Sequence, residues 1–502
     1  MKLGVVVLVA GGATLATEIS ASRLLAPYFG SSTIVWANVI GLILVYLSLG
    51  YWLGGRLVDR RPERRLLGGI LVVAALAIAV IPFVARPFLS ATVRGLDDAS
   101  AGAVVGSFVA ALALFAVPVT LLGAVSPFAI RLALPSVDRA GTVAGRLYAL
   151  STFGSILGTF LSALVTIPLV GTQRTMVGTA ALVLLAAALL LGRRWQVLTA
   201  AMVGLALVPP GAIKAQSGTV YEAETPYQYL DVRIGSEGQR VLELNEGVVA
   251  NSVWYPGHVL TGGEWDMFLM LPPLIDRPLG RALVLGNAGG STARALAALY
   301  PGVQIDGVEL DAKVTDAAQR YFRLDEIPGL RVVTADARAY LLTTDHRYDL
   351  ICVDAYRQPY IPFQLATQEF FALARAHLRP GGALALNVSR MPGQRDLVQA
   401  LARTVRSVFG NAWSWDALRF NTLVFALDRP LTRGELVRRA SHVPRELSSL
   451  VPLVRRHVAA AGFQGQLLTD DRAPVEWIAD RAMLAYVARG GRFDEHYLPT
   501  AP

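Results

Sequence analysis

Residues 281–311 read RALVLGNAGGSTARALAALYPGVQIDGVELD and decide the fold of the second half of the chain. The apolar run 282–285 is typical of a buried parallel strand, and a turn of small residues and a helix-forming segment follow it. A second strand is predicted at 304–310, with Glu309 placed 23 positions after Gly286. This order is typical of a βαβ nucleotide site, in which glycines let the backbone approach the ligand and the acid receives ribose hydroxyls.

Two further strands are predicted to end at acids. The run 330–334 precedes Asp336, and the run 348–353 precedes Asp354. Because ligands of open parallel sheets bind outside the carboxyl ends of the strands, we expect Glu309, Asp336 and Asp354 to line one site. The other elements predicted for this half are strands at 220–232, 240–249 and 383–388, helices at 258–271 and 367–378, and a turn at 380–382.

The composition is too apolar for an ordinary soluble enzyme. Hydrophobic residues make up 54% of the 502 positions, and the mean hydropathy is +0.47. The net charge of +9 comes from arginines that cluster beside apolar runs, which is typical of cytoplasmic loops in membrane proteins and argues against a nucleic-acid partner. A single cysteine, Cys352, excludes an internal disulfide and a cysteine-based metal cluster, and we expect no metal.

Residues 1–213 are expected to form a multi-span transmembrane domain, followed by a globular α/β domain at 214–502. Glu18 and Arg23 interrupt the first apolar run, and two readings stay open. Either the two residues are functional or paired with each other, or Arg23 snorkels to the interface while Glu18 packs inside the bundle. Small residues recur in the fifth run and predict close helix packing. The predicted spans, whose lengths match a bilayer, are 3–27, 33–55, 67–90, 103–130, 144–170 and 174–192, with a shorter candidate at 196–213.

Arginine-rich connections predict the orientation of these spans. They follow the second span, join the fourth to the fifth, and follow the sixth, so all three and the N-terminus are expected in the cytoplasm. The seventh run decides the side of the α/β domain: a span would carry it outside. We expect 196–213 not to span fully, because Pro209 and Pro210 fall near its end, and we expect the α/β domain in the cytoplasm.

Several motifs in register resemble those of the spermidine synthases, or polyamine aminopropyltransferases, and in particular of the bacterial subgroup in which this enzyme follows a multi-span membrane region. The similar segments are Pro226-Tyr227-Gln228-Tyr229, the glycine turn at Gly286, Val308-Glu309-Leu310-Asp311, Asp336-Ala337, Asp354, and Leu365 with Thr367, Glu369, Phe370 and Phe371. The resemblance implies an α-helical transmembrane bundle followed by an α/β Rossmann-like AdoMet-type domain, with a small β piece at about 217–256, a nucleotide-binding core at about 257–430 and a C-terminal helical extension at about 431–502.

The resemblance also implies an activity: transfer of an aminopropyl group from decarboxylated S-adenosylmethionine (AdoMet) to a diamine such as putrescine. Asp354 would be the base that deprotonates the attacking amine, which requires a pKa raised toward neutrality. The alternative for Asp354 is a helix cap or a water ligand. The residues implied in donor binding are Gln228 at the nucleoside, Gly286, Gly289 and Gly290 in the turn, Glu309 at the ribose, and Asp336 and Ala337 at the adenine.

The chain departs from the family at three places. Gly289 replaces an aspartate that pairs with the donor's ammonium group, and Arg357 replaces the second acid of the D-x-x-D-P segment. Trp265 and Asp266 stand where the family has Tyr followed by His or Gln, and we treat them with Arg357 as substrate residues. A positive charge at Arg357 is expected to repel diamines and favour a carboxylate. Alternatively Arg357 points to solvent, and a shifted acid such as Asp266 binds the ammonium group.

Three functions therefore compete. The first is a membrane-anchored aminopropyltransferase. The second is an AdoMet-dependent methyltransferase acting on a small or membrane-associated substrate, favoured by the lost acids, and the third is a non-catalytic nucleoside-binding membrane protein. The expected partners are a small-molecule amine or other acceptor and the lipid bilayer, and a homodimer is left open.

Overall fold

The structure is a computed structural model that describes residues 2–29, 33–97, 102–134, 136–192, 195–207, 214, 217–245, 250–356, 360–416 and 418–490. The chain divides into two compact units. The first contains residues 1–215 and 224–229, and the second contains residues 216–223 and 230–502.

The first unit is helical. Among the described residues, six stretches are long and apolar enough to cross a membrane, which confirms the six predicted apolar helices by length and composition. The helices of this unit are α1 (Lys2–Phe29), α2 (Thr33–Arg60), α3 (Arg64–Asp97), α4 (Gly102–Gly123), α5 (Val125–Ala133), α6 (Ala140–Leu161), α7 (Ile167–Val170), α8 (Thr172–Leu191) and α9 (Trp195–Leu207), with a π-helical turn at Ser162–Thr166.

Small residues let α1 and α6 approach closely, as the sequence predicts. A Cβ atom on Gly154 would lie 2.0 Å from the Leu8 carbonyl oxygen, and one on Gly158 would lie 2.1 Å from the Gly12 oxygen. Ser155 Oγ also donates a hydrogen bond of 3.1 Å to the Gly11 carbonyl. Any larger side chain at these glycines would force the two helices apart.

The segment 224–229 belongs to the first unit and is held by polar contacts. Arg23 donates hydrogen bonds to the carbonyl oxygens of Thr225, at 3.2 Å, and of Pro226. The Thr172 amide and hydroxyl donate to the Glu224 carboxylate at 2.6 and 2.5 Å. Arg23 is thus bound to the backbone of the segment 224–229.

The second unit begins with a four-stranded sheet in the order β1-β2-β3-β4. Its strands are β1 (Thr219–Glu224), β2 (Tyr229–Ile234), β3 (Arg240–Leu244) and β4 (Ala250–Trp254). The prediction of one strand at 220–232 is wrong, because a turn closed by the Thr225 hydroxyl, which accepts from the Tyr227 and Gln228 amides at 3.0 Å, divides it. The predicted strand 240–249 ends at Leu244, before Asn245 at a positive φ of 53°, and residues 246–249 lie outside the described part.

The second sheet has eight strands in the order β12-β10-β11-β9-β8-β5-β6-β7. The five strands from β9 to β7 are parallel, and β10, β11 and β12 add an antiparallel edge. This is the α/β fold predicted from the sequence. The strands are β5 (Arg281–Leu285), β6 (Gln304–Glu309), β7 (Leu330–Thr334), β8 (Tyr348–Val353), β9 (Leu378–Ser389), β10 (Trp413–Trp415), β11 (Asn421–Leu427) and β12 (Val458–Ala460).

Most helices of this unit lie between successive strands of the sheet along the chain. Most cover its faces, and buried apolar side chains from them and from the strands fill two large cores. They are α10 (Trp265–Phe268), α11 (Ser291–Leu299), α12 (Ala312–Phe322), α13 (Ala337–Thr343), α14 (Gln368–Ala376), α15 (Asp396–Phe409), α16 (Arg433–Ala440), α17 (Val451–His457) and α18 (Val475–Ala488).

Three predictions for this unit need correction. The helix predicted at 258–271 shortens to α10, because Gly257 and Gly262 adopt positive φ angles of 86° and 73°. The turn predicted at 380–382 is an irregularity within β9, where the register with β8 shifts. The C-terminal extension is not purely helical, since β12 pairs with β10 at the sheet edge.

The strand order reverses at one point in the sheet, between β5 and β8. The chain runs from β5 outward through β6 to β7 and then crosses back, so that β8 lies on the other side of β5. Loops that leave β5 and β8 therefore diverge in opposite directions and open a crevice, which is where such sheets bind ligands. Leu285 pairs with Val353, so the residues that follow them, Gly286 and Asp354, lie side by side at this point.

Candidate active site

The loop between β5 and α11 is built from glycines that the structure requires. Gly286 has a φ of +86°, and a Cβ atom there would lie 2.4 Å from the Asp354 carbonyl oxygen. Gly290 has a φ of +79°, and its amide donates to the Asn287 carbonyl at 2.7 Å. The Gly286 amide is bound to the Val308 carbonyl at 2.9 Å, so the loop lies against both neighbouring strands.

Glu309 is the last residue of β6, and its side chain binds the glycine loop through a hydrogen bond. Its Oε2 accepts a hydrogen bond of 3.0 Å from the Ala288 amide, and its Oε1 accepts one of 3.1 Å from the Asp311 amide. The residue is 8% exposed, and burial raises the pKa of its carboxyl. With a further hydrogen bond from the Leu310 amide, the carboxylate still keeps a lone pair for a hydroxyl donor.

Asp336 follows β7 and caps the next helix. Its Oδ1 accepts hydrogen bonds of 2.9 Å from the Arg338 and Ala339 amides, the first donors of α13. Within the described ranges no hydrogen bond or ion pair uses Oδ2, which leaves that oxygen available to a ligand amine. Ala337 is the first residue of α13 and is buried.

Asp354 follows β8 and sits at the crevice. Its amide donates to the Leu285 carbonyl at 2.8 Å, and its Oδ1 accepts a hydrogen bond of 2.9 Å from Asn387 Nδ2. Burial raises the pKa of the carboxyl to about 7, although part of the residue remains accessible. Asp354 caps no helix among the described residues, and its pKa meets the requirement for a base at neutral pH.

Glu264 is a second acid beside Asp354, and the sequence analysis missed it. Burial and the neighbouring Asp354 carboxyl raise the pKa of Glu264 to about 8. Its place is the residue before α10, where no strand end or motif spacing marks it. The only signal in the sequence is an acid at the start of the apolar stretch 265–275.

Trp265 and Asp266, expected at the substrate, are used in the scaffold. Trp265 is 3% exposed and packs in a cluster with Val241, Val253 and other residues of the small sheet. The Asp266 carboxylate accepts hydrogen bonds from the Thr261 amide at 3.1 Å and from the Gly262 amide at 2.7 Å. The structure therefore gives Asp266 a loop-capping role, and Glu264 is the acid found next to Asp354.

Gly289 is closed off by packing. Its amide donates to Ser252 Oγ at 2.8 Å, and a Cβ atom on Gly289 would lie 2.7 Å from Ser252 Cβ and 3.1 Å from Phe322 Cδ1. A side chain as large as the family's aspartate does not fit at this position unless Ser252 moves. The glycine is thus explained by local packing between the loop and β4.

Two further predicted site residues are Gln228 and Arg357. Gln228 is half-buried in the turn of the first unit, where its carbonyl accepts from the Thr225 amide at 2.9 Å. Arg357 lies outside the described residues. Cys352, in contrast, is a buried free thiol within β8, as the sequence predicts.

Comparison with known proteins shows which family of domains the residues of this site resemble. The family model for the spermine/spermidine synthase domain matches residues 266–415. The chain carries a spermine/spermidine synthase domain. This confirms the resemblance seen in the sequence motifs. The synthase domain contains the glycine loop, Glu309, Asp336 and Asp354, whereas Glu264 precedes the matched residues by two positions.

Curated relatives are similar to the same half of the chain. A probable polyamine aminopropyl transferase of Bifidobacterium longum (strain NCC 2705) is 41% identical over 197 residues, which cover 39% of this chain and 43% of the relative. A polyamine aminopropyltransferase of Vibrio vulnificus (strain CMCP6) is 38% identical over 138 residues, 27% of this chain and 45% of the relative. The chain thus spans less than half the length of these relatives.

Among solved structures, a probable spermidine synthase from Corynebacterium glutamicum ATCC 13032 has a TM-score of 0.39 at 18% identity. The match covers 54% of this chain and 94% of that one.

Proposed function

We propose that this protein transfers an aminopropyl group from decarboxylated AdoMet to a diamine such as putrescine. The observation that carries the proposal is Asp354, a carboxyl with a pKa of about 7 at the point where the strand order reverses. A base with this pKa is half ionised at neutral pH and can take a proton from an ammonium group. The curated relatives named as aminopropyltransferases support the same chemistry.

The residues that would hold the donor fit a nucleoside. Glu309 would present the remaining lone pair of its carboxylate to a ribose hydroxyl, and Asp336 would present Oδ2 to the exocyclic amine of an adenine. The loop at Gly286 brings backbone close to the ligand because it carries no side chains there. Gln228 is proposed to contact the nucleoside as well, on the family's pattern.

The proposed reaction balances with one proton transfer. Asp354 removes a proton from the acceptor's ammonium group, and the freed amine attacks the aminopropyl carbon bound to the donor's sulfonium sulfur. A carbon–nitrogen bond forms as the carbon–sulfur bond breaks, and methylthioadenosine leaves as a neutral thioether. The protein's part is to orient the amine, hold the nucleoside and accept the proton.

The direct test is a product assay with the full chain in detergent or lipid discs. We expect spermidine and methylthioadenosine from decarboxylated AdoMet and putrescine, detected by mass spectrometry. The methyltransferase alternative is favoured by one observation, the closed packing at Gly289, which removes the family's contact to the donor ammonium. Product formed only from intact AdoMet would support that alternative and contradict our proposal.

Glu309 is proposed to anchor the donor ribose. We expect Glu309→Gln to weaken binding of methylthioadenosine at least tenfold, about 1.4 kcal/mol or more. The substitution removes the charge. It also places a side-chain NH2 group, which is a donor, where a carboxylate oxygen now accepts from the Ala288 or Asp311 amide. The measurement is isothermal titration calorimetry, with thermal unfolding to check the fold.

Glu326→Gln is the matched control for this prediction, because that acid lies in the same domain and its side chain is 64% exposed. Equal affinity of the Glu309→Gln variant and the wild type, at an unchanged unfolding temperature, would rule out the ribose role.

We further propose that the helical unit anchors the enzyme in a membrane and that the synthase domain lies in the cytoplasm. Six apolar helices support the anchor. The described part of α9 is Trp195–Leu207, and residues 208–213 of the predicted run 196–213 lie outside the described residues. A reporter fused to the C-terminus should be active when it is a cytoplasmic enzyme and inactive when it is one that works only after export, and the reverse pattern would place the domain outside.

A further inference from the structure

Glu264 is a buried acid whose carboxyl is hydrogen-bonded to the backbone of its own residue. It is 7% exposed, and within the part of the chain that the structure describes no other residue forms a hydrogen bond or ion pair with its carboxyl. Leaving a carboxylate buried and unpaired costs several kcal/mol, so proteins retain such groups where a proton or a cation completes them. Because Glu264 lies beside Asp354, any such cation would be at the crevice.

The groups around Asp354 hold it still without neutralising it. Asn387 Nδ2 donates to Asp354 Oδ1, and Asn421 Nδ2 donates to Asn387 Oδ1 at 3.0 Å. The Tyr356 hydroxyl donates to the Asn387 carbonyl at 2.9 Å and accepts from the Ser389 amide at 2.7 Å. All these partners are neutral, and Asp354 Oδ2 has no partner in the described ranges.

The ionisable neighbours of the two acids are themselves acids. Asp266 and Asp354 both raise the pKa of Glu264, and Asp354 and Glu264 both raise the pKa of Tyr356. Cys352 is the remaining ionisable group near Asp354, and its thiol pKa is also raised. Apart from the undescribed positions 357–359, the site thus offers two carboxyls and no cation to balance them.

We propose that Glu264 and Asp354 together bind an ammonium group of the acceptor, and that its binding releases a proton from the pair. The proposal rests on the proposed function and adds the residue that replaces the family's second acid. An ammonium ion has three donors and a full charge, which suits two buried carboxylates that interact electrostatically. Asp266 cannot take this role, since its oxygens already accept four hydrogen bonds from Thr261 and Gly262.

The proton balance follows from the charges. Near neutral pH the free pair retains at least part of a proton, because two neighbouring carboxylates do not ionise together. The entering ammonium ion takes the place of that proton, which leaves to solvent, and both carboxylates are then ionised. Asp354 is thereby left as the base that the transfer step requires, while Glu264 stays as the counter-charge.

The test is calorimetry of the full chain in detergent, saturated with methylthioadenosine and titrated with putrescine at pH 7.5 in two buffers of different ionisation enthalpy. We expect the wild type to release about half a proton to one proton per putrescine bound, and its affinity to rise between pH 6.5 and pH 8. Glu264→Gln should lose most of the release and bind putrescine at least tenfold more weakly, with unchanged affinity for methylthioadenosine.

The folding of the Glu264→Gln variant is checked by measuring its unfolding temperature at two pH values. The folded protein holds a proton on Glu264 with a pKa of about 8, above the ordinary value of 4.5, so this group makes the fold less stable as pH rises between those values. Glu264→Gln should therefore unfold at a higher temperature than the wild type at pH 8 and at an equal temperature near pH 4.5. A variant that is less stable at both pH values would show that the acid is needed for packing, and would overturn the proposal.

Two further variants separate the alternatives. Glu326→Gln is the control and should bind putrescine like the wild type, since that acid is exposed. Arg357→Gln should release protons as the wild type does. A wild type that releases none, with release appearing only in this variant, would show that Arg357 already balances the two acids, and would overturn the proposal. A wild type that binds methylthioadenosine but does not bind putrescine would also overturn it. A wild type that binds putrescine and releases a proton, but transfers no aminopropyl group, would contradict only the proposed function.

Discussion

Asp354→Asn should lower kcat for aminopropyl transfer by about 10²- to 10⁴-fold, the usual contribution of a general base. The variant should fold, because the Asn oxygen can still accept the hydrogen bond from Asn387. The wild-type rate should rise with pH through about 7, where the Asp354 carboxyl loses its proton, and level off above it. The variant's residual rate should lack this step. The measurement is the steady-state rate of methylthioadenosine release between pH 5.5 and 9.

Asp345→Asn serves as the control, since that acid is exposed and lies before β8 instead of after it. Its rate and pH profile should match those of the wild type. Thermal unfolding of Asp354→Asn at pH 8 should occur at or above the wild-type temperature, because the folded protein no longer buries a carboxylate. A variant that folds and transfers at more than a tenth of the wild-type rate would remove Asp354 from the role of base.

Gly286→Ala should remove most of the stability of the synthase domain, by about 3 to 5 kcal/mol. Two costs add: the left-handed backbone, which is worth about 1 kcal/mol for a residue with a Cβ atom, and a collision with backbone. The added Cβ would lie 2.4 Å from the Asp354 carbonyl oxygen and 2.7 Å from Ala355 Cα, and neither can rotate away. We expect a strongly lowered unfolding temperature in detergent solution and no nucleoside binding.

Gly302→Ala separates the two costs. Gly302 has the same φ of +86°, but a Cβ atom there would meet nothing within 4 Å. This variant should lose only the backbone contribution of about 1 kcal/mol and should bind methylthioadenosine normally. Equal destabilisation by both substitutions would show that Gly286 is required for its backbone angle alone and that its contact with Asp354 is unimportant.

Local patterns in the sequence were enough to predict the strands that carry the site and the acids at their ends. Short segments rich in apolar residues predict β6, β7 and β8, although β6 includes Asp306, β7 Arg331 and β8 Asp349. An acid stands at or shortly after the end of each segment. For the same reason Glu309, Asp336 and Asp354 could be assigned to one edge of the sheet. The helices of the first unit were equally predictable, because only long apolar runs match a bilayer.

Tertiary structure decided which side chains meet. Glu264 and Asp354 are 90 positions apart, and only the folded chain brings their carboxyls close enough to interact electrostatically. Trp265 and Asp266 carry the residue types of a binding site, but the small sheet buries the first and loop amides bind the second. The raised pKa of Asp354 likewise comes from burial, a sum over many distant neighbours that no local pattern contains.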